Sequence, residues 1–131
     1  MVIDKDYPGL TRDENGGYHF CGNIVTDEDL EINLDGILLV SGYIEAGGSI
    51  KADGSIRADG HIEADGHIEA GSGIIAWTQI SAGSYISVKG CIFAGISPSC
   101  PSDQCDKMIR CTELRSGEVC YGDLVIIDKE N

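Results

Sequence analysis

An isoleucine recurs at every sixth residue between Tyr43 and Gly95. A small apolar residue follows two places after each isoleucine. The isoleucines are Ile44, Ile50, Ile56, Ile62, Ile68, Ile74, Ile80, Ile86 and Ile92, and the small apolar residues are Ala46, Ala52, Ala58, Ala64, Ala70, Ala76, Ala82, Val88 and Ala94. Six is not a multiple of the 3.6 residues of a helical turn, but it is three times the two-residue period of a strand. The pattern predicts strands with isoleucine and alanine pointing inward.

A glycine or serine follows two places after most of the small apolar residues. These positions are Gly48, Gly54, Gly60, Gly66, Ser72, Ser84 and Gly90. We interpret them as bends, because a small side chain lets the backbone turn tightly. The predicted fold is an all-β, single-domain β-solenoid with three six-residue strands, about 18 residues, per coil and coils stacked about 4.8 Å apart. A flat antiparallel meander is the alternative, but its two-residue hairpins would need Asn-Gly or a similar pair at each turn.

The solenoid prediction divides the chain into three parts. Residues 1–19 form a lead-in or N-terminal cap, residues 20–96 the β-solenoid, and residues 97–131 a cysteine-containing C-terminal β cap. Counting back by sixes from Ile44 assigns Leu38, Ile32, Thr26 and Phe20 to the isoleucine position of degenerate coils. The segment around Pro98 and Pro101 is expected to be a loop. The following stretch is expected to form two strands around residues 115–117, or one last coil.

The 18-residue repeat also predicts which outward side chains stack. The three outward columns are Glu45, Glu63 and Ser81; Lys51, Glu69 and Ser87; and Leu39, Arg57, Ile75 and Phe93. Trp77 joins the third column, so Leu39, Ile75, Trp77 and Phe93 form an apolar patch, and such patches often mark interfaces. We expect a homodimer through this patch. Coverage by the C-terminal segment is the alternative.

The chain is strongly acidic, with a formal net charge of −13 and a pI of about 4.3. This charge argues against direct nucleic-acid binding, which needs a basic surface, and favours a basic protein partner. The candidate partner-binding carboxylates are Asp27, Glu28, Asp29, Glu31, Glu45, Asp53, Asp59, Glu63, Asp65 and Glu69. Spaced carboxylates on a straight rod resemble a line of phosphates. Simple solubility, with a solvated loop at residues 27–31, is the alternative.

Catalytic, cofactor and metal motifs are not evident in the sequence. Phosphate-binding glycine loops, G-x-S-x-G and Cys/His pairs at a meaningful spacing are absent, so we expect no enzyme activity and no cofactor. His61 and His67 lie six residues apart and are expected on different faces, as ordinary surface residues.

Four of the six cysteines cluster near the C-terminus, at Cys100, Cys105, Cys111 and Cys120. Zinc sites usually contain close Cys pairs, which this spacing lacks. A disulfide involving Cys100 and Cys105 and a set of free thiols both remain open. A reducing compartment favours free thiols. The chain has neither a long apolar stretch nor a signal-peptide core at its N-terminus, so we expect it to be cytoplasmic.

The motif GSIKADGSIRADGHIEADGHIEAG resembles short proteins with GSIKAGGSIKAG repeats from Firmicutes and their phages and mobile elements. The entry Ser41-Gly42-Tyr43-Ile44 and the tails at Ile92–Ile96 and Gly117–Ile126 are similar to theirs, so the resemblance covers about two thirds of the chain. Bactofilins, which are polymer-forming β-helical scaffolds, resemble it in architecture. Left-handed hexapeptide acyltransferases are less similar, because their repeat has the pattern L-G-x-x-S/A-x.

The resemblance has a functional implication. Small acidic proteins of mobile elements are often inhibitors of host defence, including anti-CRISPR and anti-restriction proteins. It implies a protein of a phage or mobile element that acts in the cytoplasm of a bacterial host, as an inhibitor of the anti-CRISPR type or a DNA mimic that blocks a basic nucleic-acid-binding site of a defence protein. A self-assembling, bactofilin-like cytoskeletal scaffold is the alternative.

Overall fold

The computed structural model describes residues 2–12, 14, 17–95 and 108–126, and every regular element among them is a strand. The strands are β1 Val2–Ile3, β2 Leu10–Arg12, β3 Tyr18–Phe20, β4 Ile24–Thr26, β5 Leu30–Ile32, β6 Leu38–Val40, β7 Ile44–Ala46, β8 Ile50–Ala52, β9 Ile56–Ala58, β10 Ile62–Ala64, β11 Ile68–Ala70, β12 Ile74–Ala76, β13 Ile80–Ala82, β14 Tyr85–Ala94, β15 Met108–Cys111, β16 Glu113–Tyr121 and β17 Asp123–Ile126. Together they form a β-solenoid of about five turns with about 18 residues per turn, which confirms the predicted fold class.

Three parallel stacks of strands make the walls of the solenoid, and we call them face 1, face 2 and face 3. Face 1 contains β4, β7, β10, β13, β15 and β17 in that order. Face 2 runs from β1 through β5, β8 and β11 to the first part of β14, and face 3 from β3 through β6, β9 and β12 to the second part of β14. Because β14 continues across a corner, faces 2 and 3 belong to one 11-stranded sheet.

The isoleucine columns lie inside the solenoid, as the repeat predicts. Ile62 pairs with Ile44 on one side and Ile80 on the other, and all three are fully buried. Each fully buried isoleucine stabilises the fold by about 1.5–3 kcal/mol relative to exposure. The predicted outward columns are confirmed too, since Glu63 aligns with Glu45 and Ser81, and Ile75 with Arg57 and Phe93.

The first coils correct the register obtained by counting back in sixes. Leu30, Ile24 and Tyr18 occupy the isoleucine position, because they pair with Ile50, Ile44 and Leu38 respectively. Consequently Ile32, Thr26 and Phe20, predicted at that position, stand one inward position later, in register with Ala52, Ala46 and Val40. The cause is a corner two residues longer than the others, between β5 and β6, in which Leu34 is buried.

The N-terminal segment folds against the first coil. Strand β1 pairs in parallel with β5, which buries Ile3, and the backbone N–H of Asn33 donates to the Ile3 carbonyl at 2.8 Å. Strand β2 pairs with β3 in antiparallel fashion. These strands cover backbone edges on faces 2 and 3 that would otherwise be open.

The C-terminal strands extend the solenoid columns. Strand β15 stacks on β13, β17 on β15 and β16 on β14, all in parallel. Residues 108–126 therefore comprise a last coil, followed by β17 as one further strand on face 1, and β16 runs through residues 115–117 with register shifts along its length. The loop predicted around Pro98 and Pro101 lies outside the described residues.

Candidate protein-binding surface

The ten carboxylates predicted to bind a partner are distributed over several walls of the solenoid. Glu45 and Glu63 point outward from face 1, and Glu31 and Glu69 from face 2. Residues 27–29 and Asp65 occupy the corner between these two faces. Asp53 and Asp59 stand at the other two corners. The structure therefore brings together a subset of the predicted residues.

Four of these carboxylates line one shallow depression of about 190 Å³ on face 1 and its corner, and we call it the acidic depression. They are Asp27, Glu45, Glu63 and Asp65, and the other lining residues are Val25, Thr26, Ala46 and Gly47. Glu45 and Glu63 lie directly opposite each other on adjacent strands. Among the described residues that line it, none is basic.

A second depression of about 510 Å³ lies around the corner between faces 1 and 2. Glu28, Asp29 and Glu31 contribute to its lining, together with Lys51 and His67. Asp29 also has a structural role, because its Oδ1 accepts a hydrogen bond from the backbone N–H of Ser49 at 2.8 Å. This second depression is acidic but also contains the positively charged side chain of Lys51.

The remaining candidate carboxylates stand beside basic side chains. Asp53 and Glu69 line a depression that also contains Lys51 and Lys89. Asp59 lies 4.0 Å from the guanidinium of Arg57. Lysine or arginine side chains therefore partly balance their charge, whereas neither lysine nor arginine is among the described residues that line the acidic depression.

Two histidines stack on tyrosines of neighbouring coils at two different corners. The His61 ring lies 4.8 Å from the Tyr43 ring at an interplanar angle of 8°, and its Nε2 is 2.8 Å from Oε2 of Glu45. The His67 ring lies 4.5 Å from the Tyr85 ring, and its Nε2 is 3.8 Å from Glu69. Their placement on different corners follows the sequence prediction. The sequence interpretation missed their carboxylate partners. Glu45 precedes His61 by two residues less than one 18-residue coil, and Glu69 follows His67 by two residues, so both neighbours could have been found from the sequence.

Two tyrosines donate to carboxylates and shift the pKa values of the groups involved. The Tyr18 hydroxyl donates to Oδ1 of Asp35 at 2.6 Å; this hydrogen bond, and secondarily burial, raises the Tyr18 pKa, and the same bond lowers the pKa of Asp35. The Tyr85 hydroxyl donates to Glu69 at 2.7 Å, which likewise raises the pKa of Tyr85.

The four predicted self-association residues lie on face 3 and the corner that follows it, and all are half-buried. Leu39, Ile75 and Phe93 belong to one outward column, in which Arg57 lies between Leu39 and Ile75. The Arg57 guanidinium lies 5.7 Å from the centre of the Trp77 ring. Tyr121 of the last coil aligns with Phe93, so the described strands of residues 108–126 lengthen the column rather than fold over its outward side.

The described cysteines Cys21, Cys91, Cys111 and Cys120 are free thiols. Burial raises the pKa of Cys111, and a hydrogen bond with Cys91 is the main cause that raises the pKa of Cys120 to about 11. Both thiols are therefore weak nucleophiles at neutral pH. Cys100 and Cys105, the predicted disulfide partners, lie outside the described residues.

The fold and this surface define the protein as an acidic β-solenoid. The chain matches no protein-family model, and neither a curated protein nor a solved structure matches it significantly. In the part of the chain that the structure describes, no helix has the length and apolar character needed to cross a membrane.

Proposed function

We propose that this protein is a non-enzymatic, acidic protein-binding inhibitor that occupies a basic, nucleic-acid-binding surface of a partner protein. The observation that carries the proposal is the direct apposition of Glu45 and Glu63 within the acidic depression. Like charges directly opposite each other in a sheet destabilise it. A surface that places them there, beside Asp27 and Asp65 and without a basic lining residue among those described, favours a binding role over one in stability.

The charge spacing supports a nucleic-acid mimic. The acidic depression holds four carboxylates on three consecutive coils, which span two coil spacings or about 10 Å, so the charges follow one another about every 3.2 Å along the axis. One strand of duplex DNA carries a phosphate charge every 3.4 Å or so. A groove of lysines and arginines that binds phosphates would therefore meet a similar density of negative charge.

The resemblance to GSIKA-repeat proteins of phages and mobile elements suggests the class of partner. We propose a host defence protein with a basic nucleic-acid channel, such as a CRISPR nuclease or surveillance complex, encountered in the cytoplasm of a bacterial host. In this role the protein needs no cofactor, because it acts by occupying the channel.

Affinity capture from a host lysate, followed by mass spectrometry and a DNA-binding assay on the captured protein, tests the proposal. The variant Asp27→Asn/Glu45→Gln/Glu63→Gln/Asp65→Asn is expected to lose capture of the partner and to leave its DNA binding unaffected. The matched control Asp53→Asn/Asp59→Asn/Glu118→Gln/Asp123→Asn changes the net charge equally and is expected to inhibit like the wild type. Equal inhibition by both variants would contradict the assigned surface, and capture without competition against DNA would contradict the mimicry.

A self-assembling scaffold is the second candidate, and the location of exposed apolar side chains favours it. The most exposed large apolar residues described are Val2 at 48% and Val25 at 52% near the N-terminal end, and Leu124 at 40% and Ile126 at 55% near the C-terminal end. Strands β4 and β17 are the two ends of face 1 among the described residues. End-to-end stacking would cover Leu124 and Ile126, which occupy inward positions in register with Ile109 and Cys111. Sedimentation velocity over a wide concentration range distinguishes a ladder of oligomers, which Leu124→Lys should abolish, from a discrete species.

We propose in addition that two copies associate through the outward column of face 3. The supporting feature is the apolar pair of Ile75 and Phe93 on adjacent strands, with Trp77 at the following corner and Leu39 on the other side of Arg57. The variant Ile75→Lys should convert a dimer to a monomer in size-exclusion chromatography with light scattering. Ser87→Lys, at an outward position of face 2, is the control and should leave the dimer intact. A monomeric wild type would refute the dimer and leave the inhibitor proposal standing.

A further inference from the structure

We propose that Glu45, His61 and Glu63 form a binding site for a first-row divalent transition-metal cation, with Zn²⁺ as the best match. The potential ligand atoms of these three residues all lie within 4.8 Å of one another. The site shares Glu45 and Glu63 with the acidic depression, but its test measures ion binding and does not require the protein-binding role.

The solenoid places the three side chains together through its register. Glu45 and Glu63 project from directly paired positions of β7 and β10, so their backbones are about 4.8 Å apart. His61 immediately precedes β10 at the corner, and its ring is held by stacking on Tyr43. The imidazole is therefore oriented before any ion binds.

The mixture of ligand atoms indicates the kind of cation. Calcium and magnesium take oxygen ligands, whereas an imidazole nitrogen with carboxylate oxygens suits zinc and its neighbours. Ligand atoms around a tetrahedral zinc ion are roughly 3.3 Å apart, because each bond is about 2.0–2.2 Å long. His61 Nε2 and Glu45 Oε2 are already 2.8 Å apart, and the exposed Glu63 side chain can rotate to complete the set. Water would occupy the remaining position.

Metal binding requires a defined proton movement on His61. A carboxylate can only accept a hydrogen bond, so the 2.8 Å contact with Glu45 is a hydrogen bond in the tautomer that carries the proton on Nε2. Coordination uses the Nε2 lone pair, so a neutral ring must carry its proton on Nδ1 instead. The cation replaces that proton between His61 and Glu45.

Electrostatics favours the same site. The carboxylates of Glu45 and Glu63 repel each other in the metal-free state, and a shared divalent cation converts this repulsion into joint coordination. The corresponding arrangement at His67 provides an internal comparison. There Glu69 aligns with Lys51 and Ser87. The positively charged side chain of Lys51 therefore occupies the position that Glu45 occupies in the proposed metal site.

Titration of the full chain with CoCl₂, followed by NMR and absorption spectroscopy under reducing conditions, tests the assignment. We expect one equivalent of Co²⁺ to broaden the amide signals of β7 and β10 selectively, and ZnCl₂ to displace it. His61→Gln and Glu63→Gln should each weaken binding at least about tenfold, since even the partners that orient metal ligands contribute about 10–100-fold. Circular dichroism should show that both variants remain folded, because both side chains lie on the outer surface of the solenoid.

His67→Gln is the matched control, and its Co²⁺ affinity should equal that of the wild type. Displacement by an equal concentration of MgCl₂, or equal weakening by His67→Gln and His61→Gln, would overturn the proposal. Broadening centred on the cysteines, with thiolate-to-cobalt absorption in the near ultraviolet and no effect of Glu63→Gln, would also overturn it.

Discussion

Glycines at the corners of the regular coils are required by the close approach of neighbouring coils. A Cβ atom added to Gly71 would collide with the backbone carbonyl oxygen of Asp53 in the adjacent coil, and one added to Gly83 would collide with that of Asp65. The glycines with positive φ that the structure describes, Gly9, Gly22, Gly95, Gly117 and Gly122, lie outside residues 43–94. Gly71 and Gly83 stand one place before the small residues Ser72 and Ser84 that the repeat predicted, so the close approach became visible only once the coils were stacked.

Replacing Gly71 with alanine should therefore destabilise the protein. The corner must shift away from Asp53, and such overpacking costs about 1–3 kcal/mol. Urea unfolding followed by circular dichroism measures the change. Ser72→Ala, at the exposed neighbouring position, should stay within about 0.5 kcal/mol of the wild type. An unchanged midpoint for Gly71→Ala would show that the coils are more loosely spaced than described.

The hydrogen bond between Tyr18 and Asp35 should make part of the stability depend on pH at both extremes. The folded pKa of Asp35 is below its ordinary 3.8, so its contribution is present above that pH and is lost as the pH falls through the folded value. The folded pKa of Tyr18 is above its ordinary 10.0, so its contribution is present below pH 10 and is lost as the pH rises through the folded value.

The variant Tyr18→Phe tests this dependence. Its stability deficit relative to the wild type should be largest between these limits and shrink toward both, as measured by urea midpoints across the pH range. Asp35→Asn should lose the acidic limb of the dependence. A deficit that stays constant with pH would exclude the hydrogen bond as its source.

Among the elements, the longer corner between β5 and β6 explains why the N-terminal register was predicted incorrectly. Counting back by sixes assumes an unbroken repeat, and residues 33 and 34 interrupt it. The signal was present, because Asp35-Gly36 has the same relation to Leu38 as Asp53-Gly54 has to Ile56. The interruption buries Leu34 and lets Asn33 hydrogen-bond to Ile3, so it helps to attach the N-terminal strand.

Deleting residues 33 and 34 should restore the strict repeat and keep Leu30 in register with Ile50. The deletion removes the buried Leu34 side chain, so we expect a loss of about 1.5–3 kcal/mol. Native-state hydrogen exchange should show faster exchange around β1 and unchanged protection in β10. Deleting Asp53 and Gly54 is the control; it shortens a regular corner and should disrupt the stacked coils. If both deletions behave alike, the extra residues are not a separable insertion.

At the scale of the whole molecule, the sequence predicted the interior far better than the functional surface. Inward positions obey the six-residue period because each must fill the same narrow core, so Ile62 could be placed before the structure was known. At outward positions the repeat fixes which side chains align, but it does not fix the residue type or the contacts that each side chain makes. Whether Asp59 stands beside Arg57 or in a cluster of carboxylates depends on side-chain directions, and the partner of His61 lies in another coil.

The excess of negative charge should make the stability rise with salt at neutral pH. Increasing ionic strength from 0.01 M to 1 M shortens the Debye length from about 30 Å to about 3 Å and weakens the repulsion among carboxylates. In NaCl with a chelator present, the urea midpoint should rise. Glu63→Gln should show a smaller rise, because it lacks the charge opposite Glu45.

The same NaCl series at a pH near the pI of about 4.3 provides the control. The net repulsion among charges is small at that pH, so the urea midpoint should change little with salt. A midpoint that falls with NaCl at pH 7 would indicate that attractive ion pairs dominate the surface.

The register of face 1 gives this molecule an adjustable length. Residues 44–61 form one coil that begins and ends at equivalent points, so a duplicate of that segment could be inserted without changing any neighbouring strand pair. Each duplicate would separate the two termini by a further 4.8 Å or so. The protein could thus serve as a spacer in which the number of duplicated coils sets the distance between the two termini in equal steps.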